Sequence, residues 1–202
     1  MPVAERVSAA SGRRGARLAD GLPRGRRSPR GRLRWYLIQV PEGRERSLCG
    51  DVLRLVSRDV LADAFVIMRE RWMKRSGEWF TQECVMHPGF IFAVTGDAAA
   101  LSKALGTLTL PVRPAAADER SWAPLADEAR DWFAAAMDER HVIRSSTAVI
   151  ADGALHVQEG PLVGQEASMA RLDRHKRCCE VHVCDADGGF VERMPLDIPF
   201  KS

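Results

Sequence analysis

Apolar positions recur along this chain with two periods, one of a strand and one of a helix. Residues 35–40 form a run of β-formers, Trp-Tyr-Leu-Ile-Gln-Val, closed by Pro41 and Gly43, and predict a central strand. Over 45–58, Leu48, Val52, Leu55 and Val56 fall at helical spacing. Arg44, Arg46, Arg54 and Arg58 lie largely off that face, so the segment predicts an amphipathic helix covering a sheet, weakened slightly by Gly50. Residues 64–68 predict a second strand. Residues 69–75 and 78–84 then read as arms of a long hairpin turning at Ser76-Gly77, with unusual aromatic weight from Trp72, Trp79 and Phe80. His87 opens a turn into a buried strand that runs to Val94, and 98–105 is a short helix with Leu101 and Leu105 one turn apart. Residues 115–124 read as a loop ending in Pro124, which suits a helix start. Leu125, Ala129, Trp132, Phe133, Ala136 and Met137 then share one helical face, opposite most of Asp127, Glu128, Asp131 and Glu139, as in a packing helix.

The last quarter changes to the strand period. Leu155 and Val157 alternate with His156 and Gln158 before Gly160-Pro161, a turn expected to lie between two short strands. Residues 180–184 repeat the alternation through Val181 and Val183, Asp187-Gly188-Gly189 predicts a hairpin turn, and 190–196 predict closing strands. Residues 141–152 are expected to link the two halves, with a short strand at 147–150. The order of elements predicts an α+β sandwich, helices on a mainly antiparallel sheet, followed by a small all-β unit.

Composition changes this picture in few places. Apolar residues at 46% and charged residues at 28% are ordinary for a globular protein. With no membrane-length apolar run and no secretory apolar core, the expected place is the cytoplasm. The net charge of +3 is uneven: residues 1–34 hold ten arginines against Glu5 and Asp20, a net +8, which leaves −5 for the rest. Residues 1–33 therefore read as an Arg-rich disordered arm with little to bury. The five cysteines (Cys49, Cys84, Cys178, Cys179, Cys184) lack CxxC spacing, so neither a disulfide framework nor a metal site is expected, even with His175 and His182 beside Cys178 and Cys179. Nucleophile-elbow, Walker and dinucleotide-glycine patterns are missing, and the acidic pairs Asp127-Glu128 and Asp138-Glu139 sit at opposite ends of a helix. No enzyme and no cofactor are expected. The basic run Arg171, Arg174, His175, Lys176 and Arg177 is a candidate RNA contact or a solvated turn.

Two sets of phrases carry a resemblance. Trp35-Tyr36, Gly43 with Glu45, and Pro88-Gly89-Phe90 resemble, in order, the Trp-Tyr, Gly-x-Glu and Pro-Gly-Tyr phrases of the NusG N-terminal domain. Gly160-Pro161-Leu162, preceded by Leu155 and Val157, resembles the core of a KOW motif. The phrase Gly-Pro-Leu-Val-Gly-Gln-Glu with Asp173-Arg174-His175-Lys176-Arg177 is closest to specialised NusG paralogs of the LoaP antitermination type. Together the matches cover nearly everything from Leu33 to Phe200. Two departures stand out: His87 occupies a place that is usually aromatic, and Ala167 stands where a second glycine is usual.

The resemblance implies a NusG N-terminal sandwich over 34–140, a linker over 141–152 and an SH3-like KOW barrel over 153–202. It implies a monomeric transcription elongation factor that holds the clamp helices of the largest RNA polymerase subunit in an apolar hollow and suppresses pausing and termination. Tyr36, Phe90 and Phe92 are the expected hollow, with His87 as a polar, pH-sensitive lip. The tethered barrel is expected to reach leader RNA, the ribosome or a termination factor. The alternatives are the housekeeping elongation factor and a ribosome-associated KOW protein without polymerase contact.

Overall fold

The computed structural model describes residues 31–116, 122–183 and 189–199. The arm expected over 1–33 falls almost entirely outside them, as do the turn expected at Asp187-Gly188, Cys184 and the middle of the 115–124 loop. Three α-helices and antiparallel and mixed sheets make up the described part, a mixed α/β arrangement of the α+β kind.

Strand β1 (Arg34–Gln39) lies inside a four-stranded sheet with β5 (Phe90–Thr95) and β6 (Arg113–Pro114) on either side, and β2 (Asp63–Phe65) beyond β5. Helices α1 (Glu45–Leu55) and α2 (Ala98–Gly106) cover one face of it. Their apolar stripes, Leu48 and Val52 from α1 and Leu101 and Leu105 from α2, meet Ile38, Ile91 and Ala93 of the sheet in a core that excludes water. Asp97 caps α2 by accepting from the Ala100 N–H at 2.9 Å.

The start of α1 is tied to the sheet by a buried carboxylate. Glu45 Oε1 accepts from the Gly43 N–H at 3.0 Å and from the Gly89 N–H at 2.8 Å, so two phrases 44 residues apart in the sequence meet in space. Burial raises the Glu45 pKa, but the N–H groups of Gly89, Glu45 and Gly43 outweigh it and hold the carboxyl below its ordinary value. Because the folded pKa is the lower one, its contribution is present above the ordinary carboxylate range and is lost as pH falls through the folded value. Glu45→Ala is expected to cost about 2 kcal/mol near neutral pH by orphaning two donors. Urea midpoints at about pH 7 and about pH 3 should show the gap to wild type closing on acidification.

The expected strand over 64–68 is two strands. β2 ends at Phe65, Val66 and Ile67 turn the chain, and β3 (Met68–Arg75) leaves to form a hairpin with β4 (Glu78–Val85). Ser76 and Gly77 both take positive φ, the geometry of a two-residue hairpin turn. Helix α3 (Asp127–Ala136) follows, burying Ala129, Phe133 and Ala136.

Residues 141–152, expected as a link with a short strand at 147–150, carry that strand and a second, unexpected one near their start. In β7 (Val142–Ile143) both residues are buried, and they run parallel to β3. β8 (Ser146–Ala151) belongs to the C-terminal sheet. Between them, Arg144 binds Asp138 at 2.7 Å and reaches Glu70 and Glu83 at 3.1 Å, which fixes the crossing. The C-terminal sheet has the order β10-β11-β12-β8-β9, with β9 (Ala154–Glu159), β10 (Met169–Asp173), β11 (Cys178–Val183) and β12 (Phe190–Asp197). After Gly160 there is no immediate second strand. The chain passes through turns and a 3₁₀ turn, Glu166–Ser168, before β10, and Glu166 accepts from the Val157 N–H at 3.1 Å to hold this detour on β9. The closing region is one strand, β12, paired antiparallel to β11 and parallel to β8.

Candidate functional site

The second face of the N-terminal sheet carries Trp35 and Leu37 from β1, Phe65 from β2, and Phe92 and Val94 from β5. It is rich in aromatic rings, and the chain covers it itself. α3 contributes Phe133 and Ala136, and the C-terminal sheet contributes Cys179, Val181, Met194 and Leu196, so one core runs from the first sheet into the second. Phe65 stacks on Phe92 with centroids 5.7 Å apart. Phe133 meets Phe92 edge-on at 6.1 Å and stacks on Phe190 at 6.0 Å. Polar contacts rim the junction: His87 Nε2 lies 2.7 Å from Glu192 Oε1, the Trp132 indole donates to Gln165 at 2.7 Å, and Arg69 donates to the Arg193 carbonyl at 2.6 Å. His87 Nδ1 is buried without a partner, its ring held edge-on against Phe92 and Phe133.

This arrangement corrects the expected open hollow. Phe92 is only 3% exposed, under α3 and the C-terminal sheet. Tyr36 is not beside it. Tyr36 pairs across the strands with Ala93 and so lies on the helix-covered face, 5.1 Å from the Trp122 ring. Phe90 shares the parity of Phe92 at the strand's beginning and stays half-buried, while His87 sits at the rim as a lip residue. The structure therefore brings His87 and Phe92 together, places Phe90 on their side of the sheet, and separates Tyr36. Phe65, Trp35 and Phe133 belong to the same surface and were missed. Phe65 lay in a recognised apolar run, yet nothing local says which face a strand residue takes.

The basic run divides as well. Arg171 and Arg174 are exposed on β10 and the turn after it. His175 is exposed in the same turn, and the Lys176 N–H donates to Asp173 at 2.9 Å, closing the turn. Arg177, at φ +48°, points inward instead. Its guanidinium lies 4.7 Å from the centroids of both Trp72 and Trp79 and 2.9 Å from Asp197. The Trp72 indole donates to Ser145 Oγ at 2.8 Å, so the inner ring of the pair is itself anchored. Between the β3–β4 hairpin and this turn lies a groove of about 320 Å³, walled by the two indoles, Lys74 and Arg71 on one side and by Lys176 and Arg193 on the other. The hairpin half of that groove was not assigned from the sequence. Its aromatic weight was the available signal.

Cys178 Sγ accepts from the Arg193 guanidinium at 3.0 and 3.1 Å. Burial pushes the Cys49 thiol up to about 11, with Asp63 adding to it, and the Cys179 thiol up to about 12, with Cys178 adding to it, so both are held as inert core thiols. Among the described residues no three His, Cys, Asp or Glu side chains come together as a metal site, and no helix is long and apolar enough to cross a membrane.

What the fold and site define is a mixed α/β protein with an aromatic sheet face capped by a C-terminal sheet and a basic, indole-lined groove at the junction. No protein-family model matches the chain, and no curated protein matches it.

Proposed function

We propose that this chain is a NusG-type transcription elongation factor of the specialised, antiterminating kind. Its N-terminal sandwich engages the clamp helices of RNA polymerase, its C-terminal unit is a KOW barrel that contacts RNA, and it catalyses no reaction. The observation that carries the reading is the aromatic face built from Trp35, Phe65 and Phe92, which a C-terminal sheet caps through a shared apolar core and a rim of polar contacts. Two details support it. The Glu45–Gly89 bond joins two of the phrases that resemble the NusG domain, and Gly160-Pro161-Leu162 is seated against Ser146, with the Leu162 N–H donating to Ser146 Oγ at 3.1 Å.

In the docked arrangement the aromatic face has no room for a helix pair, so polymerase and the C-terminal unit compete for it. Exchange therefore requires opening the shared apolar core behind the rim as well as the polar contacts themselves. Glu192→Ala removes the acceptor facing His87 and is expected to raise retention of the full chain on polymerase, and Phe90→Asp to lower it. Run-off transcription across a terminator, with and without the protein, reads the consequence as increased read-through. If neither variant nor wild type is retained, the reading fails. The alternative without polymerase contact then stands: a ribosome-associated RNA-binding KOW protein, favoured by the coverage of Phe92.

The turn at 174–177 is the proposed RNA contact. Arg174→Glu with Lys176→Glu is expected to weaken binding of a leader RNA and to reduce the salt slope by about 1.4, the value for losing two phosphate contacts on a single strand. A slope unchanged across a salt titration would leave the turn merely solvated.

A further inference from the structure

The groove at the junction differs from the turn beside it in having aromatic walls. Trp72 and Trp79 are both half-buried, and Arg177 is held against both rings and by Asp197, so it forms a fixed part of the wall. Lys74 and Arg71 are exposed on the hairpin, and among the described residues neither lies within ion-pair distance of a carboxylate. Glu70, the acid nearest to them in sequence, is engaged by Arg144 and by the Ser145 N–H at 2.7 Å. Lys74 Nζ instead sits 5.7 Å from the Trp79 centroid.

We propose that this groove binds single-stranded RNA, with a base stacked on Trp79 and the flanking phosphates held by Lys74 and Arg71 of the hairpin and Lys176 of the C-terminal turn. The proposal rests on the RNA contact put forward above and adds the N-terminal half of the site. Magnitudes favour the exchange. An exposed ammonium over an indole is worth about 2- to 5-fold in affinity, whereas a base stacked on an aromatic ring is worth about 5- to 150-fold. The base displaces the ammonium, and the ammonium gains a phosphate. Arg177 stays, because its guanidinium also pairs with Asp197. A duplex offers neither an unstacked base to the ring nor a strand thin enough for the groove, so the site selects single strands. An acidic protein segment would use the cations and leave the indoles idle.

The site needs both walls, so it exists only while the C-terminal sheet is docked on the N-terminal one. RNA held there stabilises that arrangement and, by linkage, opposes any partner that needs the aromatic face open.

The test uses the full chain and a fluorescently labelled oligouridine, with a duplex RNA of equal length and polyglutamate as competitors. Trp79→Ala is expected to weaken oligouridine binding about 5- to 150-fold and Trp79→Phe to restore most of it. Lys74→Glu with Arg71→Glu should weaken binding and flatten its salt dependence. Oligouridine should also quench tryptophan emission in wild type and much less in Trp79→Phe, a signal that a merely structural Trp79 would not remove. Unchanged affinity in Trp79→Ala, duplex binding as tight as single-strand binding, or full displacement by polyglutamate would each overturn the proposal. If the hairpin variants bind normally while the Arg174 and Lys176 variant does not, the groove fails and the turn contact stands. If wild type binds no RNA, both fail, and polymerase retention is decided separately.

Discussion

Phe133→Ala is expected to lower stability by about 3–5 kcal/mol, the range for truncating a buried phenylalanine. The ring is 1% exposed and touches four others: Phe92 of the first sheet, His87 of the rim, Trp132 of its own helix and Phe190 of the C-terminal sheet. No nearby element is free to collapse into the space, because each neighbour is fixed by a strand ladder or by a polar bond such as Trp132 to Gln165. In a chain of this size the loss corresponds to a fall in the thermal midpoint of about 10 °C. Phe133→Leu, which keeps most of the volume, should cost about 1 kcal/mol. Thermal and urea unfolding of the two variants would decide it. A loss below about 1 kcal/mol for Phe133→Ala would show that the two sheets do not share one core.

Gly160→Ala should be nearly as damaging, for a reason of backbone and not of burial. Gly160 has φ +96°, and a Cβ there would stand 2.6 Å from Ser146 Oγ and 2.7 Å from Ser146 Cα. Ser146 cannot give way. It is fully buried, its hydroxyl accepts from the Leu162 N–H, and its backbone lies in β8 opposite Leu196 of β12. Backbone strain of about 1–3 kcal/mol adds to overpacking of about 1–3 kcal/mol. Gly164 supplies the control, with φ +77° and nothing within 4 Å of its added Cβ, so Gly164→Ala carries the strain alone. Denaturant midpoints should separate the two alanine variants clearly. Equal losses would mean that the turn does not rest on β8.

Local pattern alone was enough for several elements. The run at 35–40 gave β1 nearly to the residue, helical spacing gave α1, α2 and the buried stripe of α3, and Ser76-Gly77 placed the hairpin turn. These are decided by propensity and by periods of two and 3.6, which neighbouring residues carry among themselves. The failures share a cause: each depends on a partner remote in the sequence. Val142 reads as part of a tether because its strand partner, Met68, lies about 75 residues away, whereas the short strand expected at 147–150 has a near partner in β9 and is present as β8.

The candidate site follows the same division. That Phe90 and Phe92 share a face while Ile91 takes the other was legible from strand alternation. Whether Tyr36 joins them was not, because the register of β1 on β5 sets it opposite Ala93 and sets Leu37 opposite Phe92. The basic residues at 171–177 were visible as a cluster of charge. Only the positive φ at Arg177 and the approach of the hairpin turned that residue inward between two indoles. Sequence by itself determined which segments are strands and helices and which residues are aromatic or charged, since those are properties of short stretches. Tertiary structure alone decided which sheet face meets which and what covers it, because pairing register and long-range packing are fixed only when distant segments meet.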